Sequence, residues 1–203
     1  MENNKSRKYG LILCLLVIIL SIFLFTFKLG SDAIIDYDEG IYAQVTFQTI
    51  KSDDLLTLKI DKPWFEKPPL YLWTVIASEK IFSSSEFSVR LPSAIAGILT
   101  VILVMLIMYE ITTNLYVSSL GGLILTLTPT FVEAGRQLRF DVPVTLAIVL
   151  SIYSFIKARK NPWWYIGIGV GIGVLSLYIS SMVFFRFICS KREVSLFQIG
   201  KYT

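Results

Sequence analysis

Three short stretches keep charged side chains within an otherwise apolar sequence, and each has a chemistry open to it. The first is Asp36-Tyr37-Asp38-Glu39-Gly40, followed by Ile41-Tyr42-Ala43. Asp36 or Asp38 could cap the helix that the following pattern opens, since acids favour helix N-termini. Carboxylates crowded at a membrane surface also repel one another, which suits one of them to act as a general base toward a hydroxyl. The second is Trp64-Phe65-Glu66-Lys67-Pro68-Pro69. Its prolines end any preceding helix and can start another, so Lys67 would stand near a helix N-terminus, where backbone N–H groups already favour an anion such as a lipid phosphate. A lysine snorkelling beside a structural turn would look the same. The third is Arg136-Gln137-Leu138-Arg139-Phe140-Asp141-Val142-Pro143, in which Asp141 is placed to cap the next apolar segment and Pro143 fits its first turn.

What is missing narrows the chemistry further. The sequence has no histidine, which excludes a Ser-His-Asp triad, an H-E-x-x-H zinc site and any histidine proton relay within it. Acid–base work must fall to carboxylates, lysine, tyrosine or bound water. Cys14 and Cys189 are far apart, in or beside apolar segments, and form no metal-ligand spacing, so both read as small buried hydrophobes.

The elements that hold these residues are membrane spans. Hydrophobic residues make up 54% and charged residues 17% of the 203, against roughly 25% charged in a soluble domain. The net charge of +4 does not point to nucleic acid, because the basic residues are scattered at the ends of apolar runs and form no stripe. Leu11–Phe27 carries no charge and nearly suffices to cross a ~30 Å hydrocarbon core. It is too long for a cleaved signal peptide, and Lys5, Arg7 and Lys8 before it favour an uncleaved anchor with the N-terminus inside. Further spans are expected at Leu91–Tyr109, Tyr116–Val132, Val142–Ile156 and Trp163–Ile179. The segment Leu70–Phe82 is apolar but short and interrupted by Glu79-Lys80, so it should lie in the interface. Five crossings then leave residues 29–90 and 133–141 outside and 110–115 and 157–162 inside. The last of these reads Lys-Ala-Arg-Lys-Asn-Pro, as the positive-inside rule asks. The first outer loop is far longer than a connector and holds ten of the fifteen acids, which marks it as functional. All three charged stretches thus fall on one membrane face. The fold class is all-α, a polytopic helical membrane protein of the cell membrane with its active-site loop extracytoplasmic.

The ordered set Asp38-Glu39-Gly40-Ile41-Tyr42-Ala43, then Phe65 through Trp73, then Phe87 through Ser93, then Arg139-Phe140-Asp141 resembles the phospholipid-carrier-dependent glycosyltransferases. These include the protein O-mannosyltransferases and the aminoarabinose transferases of lipid A. The resemblance spans about residues 10–175. It implies the N-terminal part of a GT-C fold with interfacial helices in the first outer loop, and a polyprenyl- or dolichyl-phosphate-linked sugar as donor. It implies Asp38 at the reaction centre with Glu39 and Asp141 as further acids, and Glu66, Lys67, Tyr42 and Arg139 as substrate-binding residues. A divalent metal occurs beside such acids in some relatives, and nothing here has the softness or geometry to select one. Relatives run to several hundred residues and commonly continue the Gly-Val-Leu-Ser stretch, here Gly173–Ser176, into a Lys-Gly-Pro turn that is absent. Residues 1–180 are accordingly taken as the glycosyltransferase region and 181–203 as an atypical tail, expected from a truncated or frameshifted gene whose product is inactive alone. The competing function is non-enzymatic, a transporter fragment or structural subunit; one-sided charge without an internal repeat favours the enzyme.

Overall fold

The computed structural model describes residues 4–34, 37–52, 58–60, 62–64, 67 and 69–174. Asp36, Glu66 and the 181–203 tail lie outside the described residues. The first helix, α1 (Asn4–Thr26), presents Leu11, Leu15, Ile19 and Phe23 outward and tucks Val17, Ser21 and Phe25 inward. Next come α2 (Tyr37–Lys51), a minimal antiparallel hairpin of β1 (Lys59–Ile60) and β2 (Lys62–Pro63), and α3 (Pro69–Phe82). The long α4 (Glu86–Thr112) is followed by α5 (Leu115–Thr126), α6 (Pro129–Gly135), α7 (Asp141–Ala158) and a short apolar α8 (Pro162–Val174).

Three helices among the described residues are long and apolar enough to cross a membrane: Lys5–Thr26, Glu86–Thr112 and Asp141–Ala158. The expected span over 116–132 is broken. Leu115–Thr126 and Pro129–Gly135 meet at 68° and together could make a fourth. The cause is Pro129, which occupies the first position of α6 and turns the residue before it away from helical backbone. The fifth expected span is described only as far as Val174, so its end at Ile179 lies outside. The short α3 fits no crossing, as its length and Glu79 suggest.

Starts and stops follow local chemistry. The helix α4 begins before the expected Leu91, because Ser85 and Ser88 form a reciprocal capping box. Asn114 accepts from Tyr116 N–H at 2.9 Å and starts α5. Asp141 does not cap α7: the cap position is Phe140, with Asp141 in the first turn. At the end of α1, Arg136 donates to the carbonyls of Leu24 (2.7 Å) and Phe27 (2.8 Å), a cation closing a helix C-terminus.

Two apolar cores result. One lies within the bundle and contains Val17, Phe25, Leu29, Ala94, Val101 and Met105. Phe25 is fully buried between two glycines: a Cβ on Gly97 would come within 2.5 Å of its ring, and one on Gly135 within 2.3 Å. The other core lies at one end of the bundle and joins α2, the hairpin, α3 and the start of α4 through Tyr42, Val45, Leu58, Tyr71, Val75 and Val89. The opposite end is fixed by Glu110 of α4, which takes hydrogen bonds from Lys157 and, at 2.8 Å, from Lys160. The described residues of 29–90 and residues 136–141 therefore share one end, and 110–115 and 157–162 the other, as the crossing pattern requires.

Candidate active site

A buried ion pair organises the end that carries the three charged stretches. Glu39, in the first turn of α2, is 3% exposed, and Arg90, one turn into α4, is 5% exposed. Arg90 Nε and Nη2 donate to the two Glu39 oxygens, each at 2.8 Å, the planar fork that guanidinium and carboxylate form best. Arg90 Nη1 also donates to the carbonyls of Leu29 (3.2 Å) and Asp32 (2.7 Å). Glu39 Oε1 accepts in addition from the backbone N–H of Leu138 at 2.9 Å. One pair thus ties together the chain leaving α1, the start of α2, α4 and the loop before α7. Both Glu39 oxygens are engaged, and the carboxylate faces Arg90 and Leu138 instead of solvent.

An aromatic cluster closes the same end. Tyr42, one turn after Asp38, is buried with its ring edge-on to Phe140 (centroids 4.9 Å) and Trp64 (6.1 Å). Phe140 meets Tyr71 at 4.7 Å. The Tyr71 and Ser93 hydroxyls are 2.5 Å apart, and Ser93 Oγ donates to the Arg139 carbonyl at 3.4 Å. A second acid, Glu79, is 4% exposed and accepts from Thr46 at 2.7 Å and Ser84 at 3.0 Å, which binds α3 to α2.

These contacts decide where the sequence-derived candidates stand. Asp38 is exposed in the first turn of α2, and Asp141 is exposed in the first turn of α7. The Glu39–Leu138 and Tyr42–Phe140 contacts join the two turns. Arg139 is half-buried between them in sequence, and Lys67 is exposed in the bend just before α3. Trp64, whose backbone N–H donates to the Leu58 carbonyl at 2.8 Å, packs its ring edge-on to Tyr42. Tyr42 itself offers mainly packing. Among the described residues, no three Asp, Glu or Cys side chains group to hold a metal ion.

Two hollows open from this end. A cavity of about 570 Å³ lies beside the ion pair, lined by Leu29, Asp32, Glu39, Arg90, Glu133 and Arg136 among others. An apolar groove of about 390 Å³ runs between α3, α4 and α7 past Tyr71, Ile81, Leu91, Ile95, Pro143 and Leu146. Its Tyr71 and Pro143 edge lies within four residues of Lys67 and two of Asp141. Arg90 stands in the Phe87–Ser93 motif but carries no role in the sequence reading, because the expected span begins at Leu91, one residue after it; only the earlier start of α4 puts it inside the helix. The bond between Glu39 and the Leu138 backbone left no signal in the sequence.

The sequence profile described as dolichyl-phosphate-mannose-protein mannosyltransferase matches residues 66–195. An uncharacterised protein of Aquifex aeolicus (strain VF5) is 30% identical over 167 residues, which is 80% of this chain and 34% of that protein. The undecaprenyl phosphate-alpha-4-amino-4-deoxy-L-arabinose arabinosyl transferase 2 of Proteus mirabilis (strain HI4320) is 25% identical over 185 residues, 87% of this chain and 33% of that one. The chain thus spans about a third of the length of these curated relatives. The crystal structure of ArnT from Cupriavidus metallidurans bound to undecaprenyl phosphate superposes with a TM-score of 0.74 at 18% identity, over 91% of this chain and 37% of that one. That likeness shows the fold, the N-terminal part of the GT-C architecture. A profile match over well over half the sequence, on a bundle of that architecture, means that the chain belongs to the dolichyl-phosphate-mannose-protein mannosyltransferase family of membrane glycosyltransferases.

Proposed function

We propose that the chain takes part in moving a sugar from a polyprenyl- or dolichyl-phosphate carrier to an acceptor hydroxyl on the extracytoplasmic face. In that reaction the acceptor oxygen bonds to the anomeric carbon and the bond from that carbon to the phosphate oxygen breaks. The phosphate leaves on its lipid, and the hydroxyl proton passes to a base. Asp38 is the base in this proposal: it is a solvent-facing carboxylate, and the sequence has no histidine to take its place. Lys67, with Arg139 and Glu66, binds the donor phosphate and sugar, and Asp141 supplies the second acid of the cleft. Tyr42 shapes the floor. Glu39 acts as a positioning residue, because Arg90 and Leu138 already occupy its oxygens.

The observation that carries this is the joining of the first turn of α2 to the loop before α7. The Glu39–Leu138 bond and the edge-on Tyr42–Phe140 contact join the first turn of α2, which carries Asp38, to the loop that leads into Asp141, and Trp64, three residues before Lys67, packs on Tyr42. The groove between α3, α4 and α7 suits the prenyl chain, since its walls are apolar and include Tyr71 and Pro143, four and two residues along the chain from Lys67 and Asp141. Donor class is testable by binding alone. Purified protein in detergent should retain radiolabelled undecaprenyl phosphate, and Lys67→Ala should weaken retention about tenfold or more, because a fixed cation facing a phosphate counts most where water is scarce. Lys80→Ala, an exposed lysine at the far end of α3, should leave it within twofold. Equal losses at the two lysines would remove the phosphate role from Lys67.

A further inference from the structure

The end of the bundle opposite the candidate active site carries a hollow with a different chemistry. A groove of about 340 Å³ runs between α1, α4 and α5. On α1 it follows Arg7, Leu11, Cys14 and Ile18, one face of the helix by their spacing of four, three and four. On α4 it follows Ile102, Met105, Leu106 and Tyr109, again one face, and Leu115 and Ser118 of α5 form its remaining wall. Arg7 and Leu11 are shared with a second open hollow of about 440 Å³, lined among the described residues also by Lys5 and Lys8. The groove is therefore apolar along its length and cationic at its mouth. Lys5, Arg7 and Lys8 are all exposed.

The dimensions fit one leaflet. From Arg7 to Ile18 is eleven helical steps, about 16 Å, or roughly half of a ~30 Å hydrocarbon core. Tyr109 lines the mouth at the level where tyrosines settle between headgroups and hydrocarbon. The mouth has a fixed geometry, because Tyr116 Oη donates to the Ser6 carbonyl at 3.2 Å and Gly10 lets α1 approach Leu115 closely. The nearest acid among the described residues at this end, Glu110, is turned to α7 and held by Lys157 and Lys160. Its charge is matched there and does not offset the three cations.

We propose that this groove binds an anionic glycerophospholipid of the leaflet at the α1 N-terminal end, with the phosphate headgroup on Arg7, Lys5 and Lys8 and an acyl chain along Leu11, Cys14, Ile18 and Ile102. Basic pockets between membrane helices recognise acidic headgroups in this way. The site is at the opposite end from the donor site proposed above and independent of it. The test places the full chain in nanodiscs of mixed phosphatidylglycerol and phosphatidylcholine and measures, by native mass spectrometry, the lipids that remain after release. Wild type should retain phosphatidylglycerol over phosphatidylcholine at least fivefold beyond their ratio in the disc. Arg7→Gln with Lys8→Gln should cut that preference at least threefold, whereas Lys80→Gln, a cation at the other end, should not change it. Ile102→Phe and Cys14→Phe, made separately to fill the groove from α4 and from α1, should each lower the retained phosphatidylglycerol, with circular dichroism confirming intact helix. Retention that survives the Arg7 and Lys8 changes, or falls equally with Lys80→Gln, would overturn the site. A preference lost with the cations but untouched by both groove-filling variants in folded protein would reduce it to surface charge and overturn the groove as well.

Discussion

Arg90 and Glu39 together fix the start of α2, beside the candidate residue Asp38, against α4 and the loop before α7. A carboxylate and a guanidinium taken out of water stabilise little as a pair, yet losing one partner costs about 3–5 kcal/mol because the other is left charged and buried. Arg90→Met should therefore lower the thermal unfolding midpoint of the detergent-solubilised protein sharply. Adding Glu39→Gln should recover part of the loss, since the amide oxygen can still accept from Leu138 N–H and no bare charge remains. Losses that simply add would contradict the coupling. Charge in an apolar chain attracts attention, which is how Asp38, Lys67 and Asp141 became candidates in the sequence; the fold sets Asp38 in the first turn of α2 and Asp141 in the first turn of α7. The division of labour within Asp38-Glu39 was not legible. It depends on a partner 51 residues away and on one backbone N–H 99 residues away, and neither leaves a local pattern.

At the level of elements, close helix approach is set by small residues whose role depends on what lies opposite. Phe25 fills the space between Gly97 of α4 and Gly135 of α6. Alanine for glycine inside a helix ordinarily stabilises it by about 1 kcal/mol, which Gly169→Ala should show, since nothing lies within 4 Å of the new methyl. Gly97→Ala should do the reverse, with a loss of about 1–3 kcal/mol from overpacking, and Phe25→Leu in the same chain should restore most of it. Equal effects at the two glycines, measured by unfolding in detergent, would contradict the packing. The apolar runs made most helices visible in advance, and α3, read as an interfacial helix from its length and Glu79, is not among the helices long and apolar enough to cross. The break at Thr128-Pro129 was missed because a hydropathy run averages over a single proline. The early start of α4 was missed because Ser85 and Ser88 are polar residues that such a run discards.

The whole molecule is polarised, with the Asp38 end on one side and the Glu110–Lys157–Lys160 cluster on the other. We propose, from the positive-inside rule applied to the basic 157–162 loop, that this cluster faces the cytoplasm. In a background with Cys14 and Cys189 replaced by Ala, an impermeant maleimide added outside intact cells should label Lys51→Cys and spare Arg159→Cys; the reverse would invert the topology. Seen at this scale, the sequence carried the alternation of ends but not the depth of burial at the active end, which comes from aromatic contacts between distant segments. Glycosyl transfer itself is tested most directly at Asp38. With a full-length relative that carries this N-terminal region reconstituted in liposomes and given undecaprenyl-phosphate-linked labelled sugar and cell-envelope acceptor, Asp38→Asn keeps the size and hydrogen-bonding shape of the side chain while removing its basic oxygen. Turnover should fall by about 10²–10⁴-fold, the usual worth of a general base, while retention of undecaprenyl phosphate stays within twofold of wild type. Near-normal turnover in Asp38→Asn, with loss only in Asp38→Ala, would mark Asp38 as a helix-capping residue and contradict the account, because Asn caps about as well as Asp.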